Sequence, residues 1–191
     1  MAELLLIDDW AEPGSLEVHL REVLPDGYFI VADLTVRGQP LDAVVVGPQG
    51  LVVLYARDWE GWVHPSPRGP WRQHLESGEQ VRLPSPAGEV AQATEALRDF
   101  LQDEFPSLRP AIYHLLVLTK PQAKSMATEA TEPLVVTQEG AAEAITALES
   151  RAGGLFLDAE VRESLARALR ERRLTVSQRA SEPFVFRSGG V

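Results

Sequence analysis

Residues 41–62, LDAVVVGPQGLVVLYARDWEGW, contain the pattern that decides the fold. A β-branched run occupies residues 44–46, and a second apolar run follows at 51–54. Between them residues 47–50 read GPQG, a combination typical of a tight turn. Two apolar runs of this length separated by a short turn predict two buried strands joined as a hairpin.

Polar side chains lie at the open end of this predicted hairpin. Because side chains alternate between the two faces of a strand, Tyr55 and Arg57 should share one face while Ala56 takes the other. Asp42 precedes the first apolar run. A carboxylate at one strand entry beside a polar pair at the end of its partner is a common layout of active sites. Asp42 at this position could also cap a turn.

The rest of the chain predicts an α/β fold, a mixed sheet flanked by helices. Ser15 is a candidate N-cap of the first helix, Ser85 followed by Pro86 opens the clearest helix, and Asp158 is a candidate cap of the last. The strand 111–118 follows a helix, so we expect it to join the sheet by a parallel crossover. The remaining predictions are helices at 16–24, 86–105, 139–149 and 159–173, and strands at 28–36, 134–137 and 183–186.

Aromatic and histidine side chains outside the hairpin have mainly structural interpretations. The segment 62–86 is rich in Pro and Gly and predicts a long irregular or hairpin segment over the site. Trp71 would anchor this segment in the core, with base stacking as the alternative. We interpret His64 and His74 as solvated loop residues because their spacing matches no zinc pattern, and His114 as a buried histidine with satisfied hydrogen bonds.

The hairpin and its flanks resemble the nuclease-related domain, NERD, of the PD-(D/E)xK nuclease superfamily. The matching features, in order, are Glu17 on the first helix, the stretch 41–61, Trp71, and the Ser-Pro pair that opens the long helix. The resemblance covers residues 14–150. It implies a restriction-endonuclease-like core with the order α-β-β-β-α-β, to which this chain adds a C-terminal helix.

The departures from the family pattern fall on the residues that carry its chemistry. Tyr55 stands where the family has a metal-binding Glu, and Arg57 stands where it has a Lys. A phenol of ordinary pKa is a poor Mg²⁺ ligand, and arginine stays charged and cannot transfer a proton as a base. The resemblance therefore gives Glu17, Asp42, Tyr55 and Arg57 as the family site positions, with activity expected to be lost.

Glu89 gives a competing interpretation of the same site. It lies in the first turn of the long helix, where a carboxylate suits the helix dipole, and we expect it to lie away from the apolar face of that helix. Alternatively Glu89 has taken over the metal-binding role from position 55, so that Asp42 and Glu89 would hold Mg²⁺ or Mn²⁺. Glu17 has an analogous structural alternative, as a solvated helix carboxylate.

Composition limits the remaining possibilities. The chain has 191 residues, no cysteine and a net charge of -10, so thiolate metal sites are excluded and binding of nucleic acid by bulk charge is disfavoured. A nuclease that is acidic overall needs a local basic surface for its substrate, and the residues from 151 onward, with a charge of +3, are the only candidate for it. The apolar run near the N-terminus is too short for a signal peptide or a membrane span, so a cytoplasmic location is expected.

Three functions remain open from the sequence. The first is a catalytically degenerate NERD-like domain that binds nucleic acid, with Arg57 on phosphate, or a partner protein. The second is a metal-dependent DNA nuclease, and the third is a structural protein, such as a homodimer, without a site. The expected organisation is an N-terminal arm or edge strand at 1–13, the NERD-like domain at 14–150, and a helix and tail at 151–191 packed on that domain.

Overall fold

The computed structural model describes residues 1–5, 14–67, 69–126, 131–151 and 156–171. Within these ranges the helices are α1 (Leu16–Val23), α2 (Ala87–Glu104), α3 (Gln138–Ala147) and α4 (Ala159–Arg170). The strands are β1 (Glu3–Leu5), β2 (Phe29–Val36), β3 (Gln39–Gly47), β4 (Gly50–Arg57), β5 (Trp62–His64), β6 (Trp71–His74), β7 (Gln80–Leu83), β8 (Ile112–Leu118), β9 (Lys124–Ser125) and β10 (Leu134–Thr137).

A mixed sheet of six strands in the order β1-β2-β3-β4-β8-β10 forms the centre of the fold. The strands β2, β3 and β4 form an antiparallel meander. Strand β8 lies parallel to β4, as the crossover through α2 requires. The predicted mixed α/β architecture and the order α-β-β-β-α-β are confirmed, and β1 adds a parallel edge strand beside β2.

The hairpin of β3 and β4 turns at Gly47 and Gly50, which face each other in the register. Gly50 has a φ of 127°, and a Cβ atom there would lie 2.3 Å from the carbonyl oxygen of Ala111. The same carbonyl accepts a hydrogen bond of 2.9 Å from the amide of Leu51. Only glycine allows the hairpin to approach the start of β8 this closely.

Helices cover both faces of the central sheet. Helices α1 and α3 pack on one face, against residues that include Val45, Val52 and Leu54. Helices α2 and α4 pack on the other face, against a cluster with Val44 and Val53. The alternation of buried side chains along β3 and β4 therefore divides the core into two layers.

The segment 62–86 takes the hairpin form, one of the two forms predicted for it, and not the irregular one. It contains β5, β6 and β7, which join β9 in a second sheet of the order β7-β6-β5-β9. His64 and His74 are not loop residues, since they lie on neighbouring strands with ring centroids 4.6 Å apart. Trp71 is 1% exposed, which confirms its predicted role as a core anchor. The sequence does not reveal these short paired strands because Pro and Gly outweigh their weak alternation in so short a span.

Smaller differences concern the helices. Pro86, and not Ser85, is the N-cap of α2, although the Ser85 hydroxyl accepts a hydrogen bond of 3.4 Å from the amide of Ala87. Ser15 and Asp158 cap α1 and α4 as predicted. Val23, an apolar residue of α1, is 54% exposed. The predicted strand 183–186, the end of the last helix at 173, and residues 6–13 of the N-terminal segment lie outside the described residues.

In the described parts of the chain, no helix combines the length and the apolar character needed to cross a bilayer.

Candidate functional site

Two acidic side chains and one basic side chain meet on the face of the central sheet that α2 covers. Asp42 lies on β3, Arg57 is the last residue of β4, and Glu89 lies in the first turn of α2. Tyr55 and Val53 belong to the same core layer as Val44, which confirms that the Tyr55–Arg57 side of β4 faces α2. The three elements thus bring Arg57 into direct contact with Glu89, a residue 32 positions further along the chain.

The guanidinium of Arg57 lies between the two carboxylates. Its Nη2 donates hydrogen bonds of 2.7 and 2.6 Å to the two oxygens of Glu89. Its Nη1 donates to Oδ2 of Asp42 at 3.1 Å and to the carbonyl oxygen of Ala56 at 2.8 Å. These bonds engage both terminal nitrogens of the guanidinium.

Local electrostatics favour the charged form of this arginine. Burial alone would lower the pKa of Arg57, but the hydrogen bond and charge of Glu89, and then the charge of Asp42, raise it above its ordinary value. Burial raises the pKa of Asp42, while Arg57 and the amide of Ala56, which donates to Oδ2 at 2.9 Å, oppose that shift. The cluster is a half-buried ion triad with one cation and two carboxylates.

Tyr55 belongs to a second, buried chain of hydrogen bonds. Its hydroxyl lies 2.9 Å from Nδ1 of His114, and Nε2 of His114 lies 2.8 Å from the Thr94 hydroxyl. The Thr94 hydroxyl donates to the carbonyl oxygen of Val90 at 2.8 Å. Because Thr94 uses its only proton there, it must accept from Nε2–H of His114, so Nδ1 accepts from Tyr55. His114 is therefore a neutral, satisfied core histidine, as the sequence predicted.

Burial sets the protonation states of this chain. It lowers the pKa of His114 to about 4, with a smaller effect from the charge of Arg98. It raises the pKa of Tyr55 well above its usual range, and the nearby charge of Glu89 acts in the same direction. At neutral pH the Tyr55 phenol is a neutral hydrogen-bond donor, and a metal-binding phenolate is not formed.

A family model for the nuclease-related domain, NERD, matches residues 11–119. The chain belongs to the NERD family. The match spans the hairpin, the ion triad and the Tyr55–His114 pair, and it confirms the resemblance found in the sequence. Comparison with curated proteins and with solved structures gave no match.

The fourth position that the NERD resemblance assigned to the site lies elsewhere. Glu17 is on α1, the helix that packs on the opposite face of the sheet. Among the described residues it makes no hydrogen bond or ion pair with Asp42, Arg57 or Glu89. The folded chain brings together Asp42, Tyr55, Arg57 and Glu89, and leaves Glu17 apart from them.

The side chains at the NERD site do not fit a divalent metal as they are arranged. Asp42 and Glu89 converge on one point, but the Arg57 guanidinium holds both oxygens of Glu89 and one of Asp42. Tyr55 offers a neutral phenol already committed to His114. Across the described residues, no group of three or more His, Cys, Asp or Glu side chains could hold a metal ion.

Two parts of the site are not predicted from the sequence. The expectation that Glu89 lies away from the buried face of α2 is wrong. The signal was present, since Ala93, Ala96 and Phe100 are buried at the positions i+4, i+7 and i+11 from Glu89. The contact of the Thr94 hydroxyl with His114 gave no signal in the sequence, because a helix residue and its partner on a strand 20 positions away are not linked by any local pattern.

Proposed function

We propose that this NERD protein has no metal-dependent hydrolytic activity and that its fold serves to bind a nucleic-acid or protein partner. The observation that carries the proposal is the position of the Arg57 guanidinium between Asp42 and Glu89. A side chain of fixed charge fills the place where a hydrolytic metal would need the two carboxylates. Charge balance supports this, because one guanidinium satisfies two carboxylates that would otherwise repel each other.

The same triad disfavours Arg57 as a contact to phosphate. Both of its terminal nitrogens are engaged, and two carboxylates flank it. A phosphate would have to displace Glu89 and approach a cluster with an excess negative charge. A binding surface for an anionic partner is therefore to be sought outside this site.

A metal-dependent nuclease remains the second candidate, favoured by the convergence of Asp42 and Glu89. Mg²⁺ or Mn²⁺ would have to displace Arg57 and bind the two carboxylates, and the released arginine could stabilise negative charge on a phosphate. The two candidates predict opposite outcomes for metal binding by the wild-type protein.

The test is a nuclease assay combined with a calorimetric titration with Mn²⁺. Supercoiled, linear and single-stranded DNA are incubated with the wild-type protein in Mg²⁺ and then in Mn²⁺, beside an Asp42→Ala control. A double variant, Tyr55→Glu with Arg57→Lys, restores the side chains of the family pattern. We expect the wild type to cleave none of these substrates and to show no heat of Mn²⁺ binding. The double variant should bind Mn²⁺ saturably.

Metal-dependent cleavage by the wild type that disappears in Asp42→Ala would overturn the proposal and support the nuclease. Restored metal binding requires that the double variant folds, which circular dichroism checks. An Arg57→Met variant gives a second measurement of Mn²⁺ binding, because it removes the guanidinium while Tyr55 keeps its contact with His114.

A further inference from the structure

The second sheet exposes a face on which cationic and aromatic side chains alternate. Trp62 pairs with His74 across β5 and β6, and His64 pairs with Arg72 in the same register. Arg72 in turn pairs with Arg82 on β7, and Lys124 on β9 pairs with Trp62. Directly paired residues project from the same side of a sheet. We call this surface the basic sheet face, and it consists of Trp62, His64, Arg72, His74, Arg82 and Lys124.

Burial confirms which side of the sheet meets solvent. Val63, Trp71 and Leu83 alternate with these residues along the strands and belong to the core. On the other side, Arg72, Arg82 and Lys124 are exposed, and Trp62 is 41% exposed. The Lys124 ammonium lies 4.7 Å from the centroid of the Trp62 ring. A large aromatic ring is thus held in solvent beside fixed positive charges.

The charge of this face opposes that of the whole protein. It carries three permanent cations and no carboxylate, while the chain has a net charge of -10. The acidic residues nearest in sequence, Glu60, Glu76 and Glu79, precede β5 or lie in the turn between β6 and β7. They are at the Trp62 end of the strands, so the row of His64, Arg72 and Arg82 is the most positive part.

The two histidines add flat rings to the surface. Their centroids lie 4.6 Å apart. Burial, and then the charges of His74 and Arg72, lower the pKa of His64, so its ring is neutral at pH 7. Flat aromatic rings and an indole next to arginines are the groups on which unpaired bases stack while phosphates contact the cations.

We propose that the basic sheet face binds single-stranded nucleic acid, with bases stacked on Trp62 and the His64–His74 pair and phosphates on Arg72, Arg82 and Lys124. An acidic protein segment would use the cations but would leave the exposed rings without a role. A duplex would use the cations but keeps its bases stacked internally. The inference deepens the binding role proposed above and rests on it.

The test is fluorescence anisotropy with labelled dT20 and rU20 in EDTA at pH 7, over a series of salt concentrations. We expect a dissociation constant of about 1–100 μM at physiological salt, the range of binding without sequence specificity, and tighter binding at low salt. Three phosphate contacts correspond to a slope of log K against log salt of about -2. The wild type should bind a duplex of the same length more weakly.

Matched variants separate this face from general charge. Arg72→Ala with Arg82→Ala should reduce the slope by about 1.4 and weaken binding at low salt at least tenfold. Arg21→Ala with Arg167→Ala removes the same charge from exposed positions on α1 and α4 and should leave binding unchanged. Trp62→Ala should weaken binding about tenfold, and Trp62→Phe should retain most of it.

Three results would overturn the inference: no binding at low salt, equal effects of the two arginine pairs, or tighter binding to the duplex. Displacement of the oligonucleotide by poly-glutamate of equal charge would instead assign the face to an acidic protein partner. Because binding is measured in EDTA, cleavage in Mg²⁺ would overturn the proposed loss of activity without affecting this result.

Discussion

Tyr55 is a buried, uncharged side chain in the core layer beside the ion triad. At this place the NERD resemblance expects a metal-binding Glu, whose charge would need a cation in a buried layer. The phenol is 1% exposed and carries no charge. Its hydroxyl is instead satisfied by His114, a residue 59 positions away. The polar atom of this buried side chain is thus satisfied within the core by a neutral hydrogen bond.

We expect Tyr55→Phe to lower the free energy of unfolding by about 1–3 kcal/mol, because it leaves Nδ1 of His114 buried without a donor. Tyr113→Phe is the matched control, since Tyr113 is the neighbour of His114 and its hydroxyl makes no hydrogen bond to the described residues. Removal of the Tyr113 hydroxyl should change the free energy of unfolding by less than about 0.5 kcal/mol. Urea unfolding of both variants measures the difference, and equal effects would contradict the hydrogen-bond chain deduced for His114.

At the scale of elements, the β3–β4 hairpin depends on close approach to the segment before β8. Gly50 combines a positive φ with backbone contact, whereas Gly78 has a φ of 86° and open space, with no atom within 4 Å of the position a Cβ would take. The two glycines therefore separate the conformational requirement from the steric one.

Gly78→Ala should cost about 1–2 kcal/mol of stability, the strain of a left-handed conformation at a residue with a side chain. Gly50→Ala should cost more, by at least a further ~1 kcal/mol, because the new methyl group forces Ala111 and Leu51 apart. Thermal or urea unfolding provides the comparison. A Gly50→Ala variant as stable as Gly78→Ala would show that the hairpin and β8 can separate without loss.

For the whole molecule, His114 links stability to pH. Its pKa is about 4 in the folded protein, below the ordinary value of 6.5 that applies after unfolding. The unfolded chain therefore binds more protons between these values, and stability falls as the pH decreases from about 6.5 to 4. Through this linkage, the pKa shift of His114 lowers the free energy of unfolding by roughly 3 kcal/mol in total over this pH range.

Urea unfolding between pH 7.5 and 4 measures this contribution against a His114→Gln variant. The carboxylates titrate similarly in both proteins, so the difference between the two curves isolates the histidine. We expect the free energy of unfolding of the wild type, relative to that of the His114→Gln variant, to decrease progressively below pH 6.5. Parallel curves would mean that His114 is not a neutral buried base in the folded protein.

Much of the fold follows from local sequence. The apolar runs on either side of GPQG determine the hairpin, and the caps Ser15 and Asp158 set two helix starts. The Ser-Pro start and the period of the apolar residues predict α2, and the apolar run at 111–118 predicts β8. These features depend on neighbours within a few residues, so the sequence alone was sufficient to predict them.

The site and the binding surface depend on contacts between distant residues. The Arg57–Glu89 ion pair joins positions 32 apart, and the Tyr55–His114 pair joins positions 59 apart. The basic sheet face exists only because short strands pair in one register and bring Arg72 beside Arg82. The sequence by itself determined the α-β-β-β-α-β order of the core elements along the chain and the presence of Tyr55 and Arg57 at the end of β4. Only the tertiary structure decided which partners these two side chains have, because which groups meet is set by the packing of whole elements.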